Sequence, residues 1–252
     1  MNDSLPAVVE FKNVTCAYGD RVAVDRMSLR IERGEAVALV GRSGAGKSTL
    51  LKLVNRLLVP DQGDVFVEGR DTRDWDPIAL RRRTGYVLQH IGLFPTMTVE
   101  QNVSVVPRLE RWDLARQRRR AHELLELVGL PPADFAQRWP HELSGGQQQR
   151  VGVARALAVE PPVVLMDEPF GALDAVTRNE LHTLVRRIRN DLRQTLLLVT
   201  HDIAEAGVLG TRIGVLDAGA LIACDTPSAI WKSEHPRVRQ LLDAVPALPA
   251  HR

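Results

Sequence analysis

Residues 41–49 read Gly41-Arg42-Ser43-Gly44-Ala45-Gly46-Lys47-Ser48-Thr49, which fits the pattern G-x-x-x-x-G-K-[ST]. Glycines at those places let backbone N–H groups curl round phosphate oxygens, and a helix starting behind them adds roughly half a positive charge. Lys47 is then placed to reach the β- and γ-phosphates, and the Ser48 hydroxyl to bind Mg²⁺. A chance glycine turn is the alternative, and its surroundings argue against it. Ala36-Val37-Ala38-Leu39-Val40 in front is a short apolar run, the reading of a buried strand. Behind, Leu50, Leu51, Val54, Leu57 and Leu58 recur at helical spacing until Pro60 stops the helix.

Four further polar residues close apolar runs. Val163-Val164-Leu165-Met166 leads into Asp167, the setting of an acidic group at the end of a buried strand. Its expected role is to hold magnesium together with Ser48. Glu168, one residue on, can polarise an attacking water as general base. Gln89 ends the strand expected over residues 84–89, with one donor and one acceptor suited to touching Mg²⁺ and water together. His201 follows Leu198-Val199-Thr200 and can hydrogen-bond a γ-phosphate or the lytic water. Ligands of open α/β sheets bind beyond the carboxyl ends of the strands. That rule gathers Gly41, Gln89, Asp167 and His201 at one edge.

A second anchor is Leu143-Ser144-Gly145-Gly146-Gln147. Ser144 reads as an N-cap with Gln147 at N3, and two glycines between them expose N–H groups. It is a second anion site, far along the chain from the first. One triphosphate hardly needs two such loops from one chain. A symmetric dimer closing each loop over the partner's nucleotide resolves the difficulty.

The elements that must position these groups follow in order. Val9 and Phe11 alternate with Glu10 and Lys12, the reading of an edge strand, and Met27, Leu29 and Ile31 mark a second half-buried strand. Tyr18-Gly19 lies in the turn between them. Val65-Phe66-Val67 is another short strand. From about residue 90 to 160 the pattern is helical, with Thr98 and Gln101 as a capping box and no convincing strand. Leu181, Leu184, Val185, Ile188 and Leu192 form one stripe of a long helix. Strands at residues 196–200, 213–216 and near Leu221 follow, then a short helix opened by Thr226-Pro227. The expected fold is α/β, a mainly parallel core sheet with an antiparallel β layer and a helical insertion. Residues 1–89 and 161–235 form the core, residues 90–160 the insertion, and residues 236–252 a loose tail.

With 252 residues, 44% hydrophobic and 25% charged, the chain has the composition of an ordinary globular protein. A net charge of +2 offers no basic field for nucleic acid. Cys16 and Cys224 lack metal-ligand spacing and read as buried free thiols of a reducing compartment. Met1-Asn2-Asp3-Ser4 has no signal-peptide character, and no apolar run approaches the ~20 residues of a membrane span. A membrane role then comes through a partner.

The three motifs together resemble the nucleotide-binding subunit of ATP-binding cassette transporters, over roughly residues 8–231. Walker A is residues 41–49, the signature residues 143–147 and Walker B residues 163–168. The resemblance implies an ATPase with Mg²⁺ that works as a homodimer enclosing ATP. It further implies that Tyr18 stacks on adenine and that Asp174 is the D-loop residue at the dimer interface. Gln89 becomes the Q-loop residue and His201 the switch histidine. Residues 89–102 are similar to importers of quaternary amines such as glycine betaine and choline. Relatives of that kind often carry paired regulatory repeats after the ATPase, which this chain is too short to hold. The implied partners are transmembrane permease subunits, docked by Ile91, Leu93, Phe94 and Met97, and through them a substrate-binding protein. The implied place is the cytoplasmic face of the membrane. Those four apolar residues read equally well as core of the helical insertion.

An importer ATPase for another solute is the nearest alternative. A soluble cassette ATPase of DNA repair or translation would carry two cassettes or long coiled-coil arms. A kinase or nucleotide-binding regulator has no use for the signature loop.

Overall fold

The computed structural model describes residues 7–243. The chain opens with a hairpin, β1 (Ala7–Tyr18) and β2 (Arg21–Glu32), then enters β3 (Ala36–Val40), the glycine loop and helix α1 (Lys47–Val54). Next come β4 (Gln62–Val67), β5 (Arg70–Asp71), α2 (Pro77–Arg83) and β6 (Gly85–Val87). The stretch to the next strand is helical: α3 (Val99–Val103), α4 (Val105–Leu109), α5 (Leu114–Leu127), α6 (Pro132–Phe135) and α7 (Gly145–Leu157). Then follow β7 (Val164–Asp167), α8 (Ala175–Leu192), β8 (Leu196–Thr200) and α9 (Ile203–Leu209). The described chain closes with β9 (Arg212–Asp217), β10 (Ala220–Asp225), α10 (Pro227–Trp231) and α11 (Pro236–Leu242).

Two sheets result. Six strands run in the order β10-β9-β3-β8-β7-β6, parallel except for β10. The central strands β3 and β8 are buried along their whole length, as continuous apolar runs covered on both faces must be. Four antiparallel strands form the second sheet, in the order β2-β1-β4-β5.

The core splits along the alternation of β3. Val37 and Leu39 point to the antiparallel sheet and α1, packing with Phe11, Ile31, Leu50 and Leu53. Ala36, Ala38 and Val40 face the other way, onto Val151, Ala154, Leu181 and Ile188 of α7 and α8.

Several expectations need correction. The first strand is not an edge: β1 pairs with β2 on one side and β4 on the other. Alternating hydrophobicity reports which face of a strand is buried and is silent on how many edges are bonded. Helix α1 ends at Val54, short of Leu57 and Leu58. Arg56 takes a left-handed φ of 53°, and the amides of Leu57 and Leu58 turn back to Lys52 O at 2.8 and 3.1 Å. Leu57 is exposed as a result. Strand β6 stops at Val87, which leaves Gln89 in the following loop. Leu192 lies outside the buried stripe of α8. Cys16 is buried as expected, whereas Cys224 is half-buried against the Arg212 guanidinium at 3.1 Å.

Residues 236–242, read as the start of a loose tail, form α11, whose Val238 is fully buried in the larger core cluster. The rest of that tail, and the N-terminal residues read for a signal peptide, lie outside the described residues.

Candidate functional site

The carboxyl end of β3 runs directly into the glycine loop, and α1 starts at its far side. Gly46 is the N-cap, with φ of 94°, and a side chain there would meet the Ala23 carbonyl oxygen at 2.2 Å. Only glycine fits both demands. No side chain caps α1, so its first amides keep their hydrogen-bonding capacity for an incoming anion.

Lys47 is 6% exposed and folds back on the loop. Its Nζ donates to Gly41 O at 2.8 Å and Arg42 O at 3.1 Å, and lies 3.9 Å from Glu168 Oε1. Burial pulls its pKa below the ordinary lysine value, and the charges of Glu168 and Asp167 oppose that shift. An anion entering the loop would supply the charge partner that now comes from Glu168 alone at contact distance.

Beside it, Ser48 Oγ donates to Asp167 Oδ1 at 2.8 Å, and Tyr86 donates its hydroxyl to Asp167 Oδ2 at 3.4 Å. Burial, then the neighbouring Asp167 charge, raise the Tyr86 pKa, so the phenol stays protonated and available as donor. Asp167 itself is the last residue of β7 and buried. One carboxylate and one hydroxyl, with space for phosphate oxygens and water, are the sparse hard-oxygen donor set that suits Mg²⁺. A site built wholly from protein ligands would need more: no cluster of three or more His, Cys, Asp or Glu suited to a metal occurs among the described residues.

Glu168 adopts a left-handed φ of 42°, a conformation non-glycine residues rarely hold. The turn re-aims its side chain from the strand direction toward His201, whose Nδ1 is 3.2 Å from Glu168 Oε2. His201 follows β8 and is exposed. Lys47, Ser48, Glu168 and His201 share one open cleft of about 570 Å³ with Tyr18, Arg21, Ser43, Thr49 and Gln89, and Asp167 joins it through its bond to Ser48. Tyr18 closes β1, its hydroxyl 3.5 Å from Thr49 Oγ1.

A larger cleft, about 810 Å³, lies at the other ends of the strands, beside Gly34 before β3 and Thr195 before β8. Its charged side chains are largely consumed by one another: Arg33 and Arg83 on Glu68, Arg120 on Glu123 and Glu160. The smaller cleft is therefore the candidate site.

The structure brings the phosphate loop, Gln89, Asp167, Glu168 and His201 together. It does not bring the 143–147 motif to them: none of Leu143, Ser144, Gly145, Gly146 and Gln147 lines the cleft. Ser144 caps α7 as expected, accepting from Gln147 N at 3.2 Å while Gln147 Oε1 accepts from Ser144 N at 2.9 Å. The two glycines differ. A side chain on Gly145 would meet nothing within 4 Å, whereas one on Gly146 would strike Thr177 Cγ2 at 2.2 Å. Thr177 is in turn held by Asp174, the N-cap of α8, through bonds of 2.7 and 3.0 Å. The 143–147 motif and Asp174 thus meet within one chain.

Of the four apolar residues after Gln89, Leu93 packs on the core and Ile91 and Met97 are half-buried. Phe94 is 45% exposed. Sequence reasoning missed Arg21, which packs against Gly44, and Tyr86, whose partner lies 81 residues away. It also missed Glu205, buried and bonded to Thr200 beside His201. Tyr86 sits in the strand expected over residues 84–89, three residues before Gln89.

A sequence profile of a family described as "ABC transporter" matches residues 24–171. The choline transport ATP-binding protein OpuBA of Bacillus subtilis is 47% identical over 227 residues, which cover 90% of this chain and 59% of that protein. The osmoprotectant import ATP-binding protein OsmV of Salmonella typhimurium is 49% identical over 208 residues, 82% of this chain and 54% of that one. The chain therefore spans somewhat more than half the length of these relatives. Among solved structures, a dimer of the ATP-binding cassette MJ0796 bound to ADP and Pi superposes with a TM-score of 0.77. It is 36% identical, over 87% of this chain and 98% of that one.

Proposed function

This chain belongs to the ABC transporter family, and from that premise we propose that it is the ATP-hydrolysing subunit of an importer for a small solute, a quaternary ammonium osmoprotectant. The observation that carries the ATPase reading is the convergence of Lys47, Ser48–Asp167 and Glu168–His201 on one cleft.

In that reading Tyr18 stacks on the adenine, and the amides of residues 41–49 with Lys47 cradle the phosphates. Ser48, Gln89 and Asp167 would hold Mg²⁺, which would supply positive charge to the phosphates. Glu168 takes the proton of the water that attacks the γ-phosphorus, and ADP leaves with the bridging oxygen. His201, bonded to Glu168, orients water and γ-phosphate. Turning Lys47 Nζ from the loop carbonyls to phosphate oxygens replaces neutral acceptors by charged ones, a stronger bond for the same donor.

The signature residues 143–147 act on the nucleotide of a second copy, with Asp174 at the shared interface. Their distance from the chain's own cleft supports this assignment, as does the dimeric cassette of similar structure. Residues 1–89 and 161–235 serve as the nucleotide-binding core and residues 90–160 as the unit that carries the signature. No helix of the described residues is long and apolar enough to cross a membrane, so a permease would hold the protein at the cytoplasmic face. The solute contacts none of these residues; a binding protein selects it. Relatives named for choline and osmoprotectant import support that cargo.

The test is ATP turnover by the purified chain. Wild type should hydrolyse Mg-ATP, and Lys47→Ala should lose both turnover and calorimetric ATP binding. Unchanged ATP affinity in Lys47→Ala would place the nucleotide elsewhere.

A further inference from the structure

Next to the turn that carries His201 lies a buried carboxylate, bonded to Thr200, that none of the roles above uses. We propose that Glu205 is a positioning residue for ATP hydrolysis, joining His201 to the helix that begins at Asp174. The proposal rests on the ATPase reading of the cleft.

Glu205 stands in the first turn of α9 and is 8% exposed. Its Oε2 accepts from Thr200 Oγ1 at 2.7 Å, and the same hydroxyl accepts from Asp202 N at 3.0 Å. The residues on either side of His201 are thus tied to one hydroxyl, whose orientation Glu205 sets. Through that clamp Glu205 governs where the His201 ring stands beside Glu168.

Its other oxygen looks toward α8. His182 Nε2 lies 3.6 Å and Arg178 Nε 3.8 Å from Oε1, and neither nitrogen has a hydrogen-bond partner although both are buried. Arg178 also donates to Leu173 O at 2.9 Å, next to Asp174. The His182 ring meets the edge of Phe170, two residues beyond Glu168, with centroids 4.5 Å apart at 85°. One carboxylate therefore faces the His201 turn and α8, whose His182 in turn packs on Phe170.

Burial raises the Glu205 pKa, but the hydrogen bond from Thr200 and the nearby Arg178 guanidinium and His182 ring bring it below the usual value. The group is ionised, and a buried ion is tolerated only where such partners hold it. The bond to Thr200 is short and the contacts to α8 are loose. A shift of α8 toward α9 would turn those two contacts into hydrogen bonds, and His201 would feel it through Thr200. Docking at Asp174 is thereby coupled to the position of His201.

The test uses steady-state ATPase assays of the full chain. Glu205→Gln keeps the shape and an acceptor for Thr200 but removes the charge that faces Arg178 and His182. Thr200→Val cuts the other link, and Thr200→Ser restores it. Glu205→Gln and Thr200→Val should each lower kcat about tenfold with KM for ATP within about twofold, and Thr200→Ser should match wild type. In a His201→Ala background both losses should vanish, because the residues act through His201. A carboxylate that only stabilises the fold would instead give losses that multiply in the double variants. Multiplied losses, or a wild-type kcat in Glu205→Gln, overturn the proposal. Should Glu205→Gln melt early, the Thr200 pair decides alone. A wild-type chain without ATP turnover removes the ATPase reading itself; an active one with multiplied losses removes only the role of Glu205.

Discussion

Ser48 Oγ and Asp167 Oδ1 are 2.8 Å apart although 119 residues separate them in the chain. The bond fixes the start of α1 against the end of β7 and gathers the two oxygen donors expected to face one cation. The hydroxyl proton bridges the pair. Binding of Mg²⁺ would exchange that hydrogen bond for two metal–oxygen contacts. Ser48→Ala and Asp167→Asn should therefore weaken the Mg²⁺ dependence of ATP binding while leaving some metal-free nucleotide affinity. Titrating ATP with and without Mg²⁺ by calorimetry measures the difference; an unchanged Mg²⁺ effect in Asp167→Asn would assign the metal to other residues.

Glu168 is the expected base, and loss of a general base costs about 10²–10⁴ in rate. Glu168→Gln should bind ATP and hydrolyse it very slowly. The replacement also removes the charge 3.9 Å from Lys47, which frees that ammonium for phosphate. The variant should collect as an ATP-bound dimer on size-exclusion chromatography. Monomer alone at saturating ATP and Mg²⁺ would defeat the shared-site arrangement.

The two signature glycines should respond differently to substitution. Gly146→Ala drives a methyl into Thr177, an overpacking worth about 1–3 kcal/mol, and should lower the melting temperature by several degrees. Gly145→Asp meets nothing in its own chain and should leave the melting temperature almost unchanged while abolishing turnover. Its carboxylate would repel a partner's phosphates instead. Mixing Gly145→Asp with Lys47→Ala chains assembles dimers with one intact site, so turnover should partly return. Heterodimers that remain inactive would count against complementation across the interface.

Phe94 is exposed in the loop after Gln89, where the other apolar side chains Ile91, Leu93 and Met97 are partly buried. Phe94→Asp should spare basal ATPase and fold, and should block stimulation in the reconstituted importer. With that complex, binding protein loaded with glycine betaine, choline or carnitine should raise turnover. In the proposed importer such a cation would be recognised by aromatic faces worth roughly 0.5–2 kcal/mol each, in the binding protein. Stimulation only by a sugar or a plain amino acid would change the cargo and leave the importer in place.

Acidification should weaken the fold through carboxylates held below their ordinary pKa. Glu68, which burial alone would raise, is carried down by its bonds to Arg83 and Arg33, and Glu205 by its buried partners. A depressed carboxylate lends stability above its unfolded pKa and loses it as pH falls through the folded value. The melting temperature should be flat near neutrality and decline below about pH 4.5, where free carboxylates protonate. Glu205→Gln should flatten that decline; a slope identical to wild type would show that Glu205 is not ionised in the fold.

Local chemistry was legible in the chain itself. The apolar run of β3, the glycines after it, the Thr98 and Ser144 capping boxes and the Thr226-Pro227 helix start each depend on neighbours within a few residues. Their physics is complete in the sequence, and Asp167, Glu168 and His201 were found because each closes a run of buried strand residues. What remained hidden depends on pairing across long separations. Alternation in β1 could not reveal that both its edges are bonded, nor could the stripe of α1 foresee the reversal at Arg56. The left-handed turn of Glu168 toward His201, the seat of Gly146 on Thr177 and the burial of Glu205 against Arg178 and His182 arise where distant segments meet. Side-chain type and spacing determined which groups could do the chemistry. Only the packing of strands in the order β9-β3-β8-β7 decided which of them touch, because contact across a parallel sheet is set by strand order and register rather than by nearness along the chain.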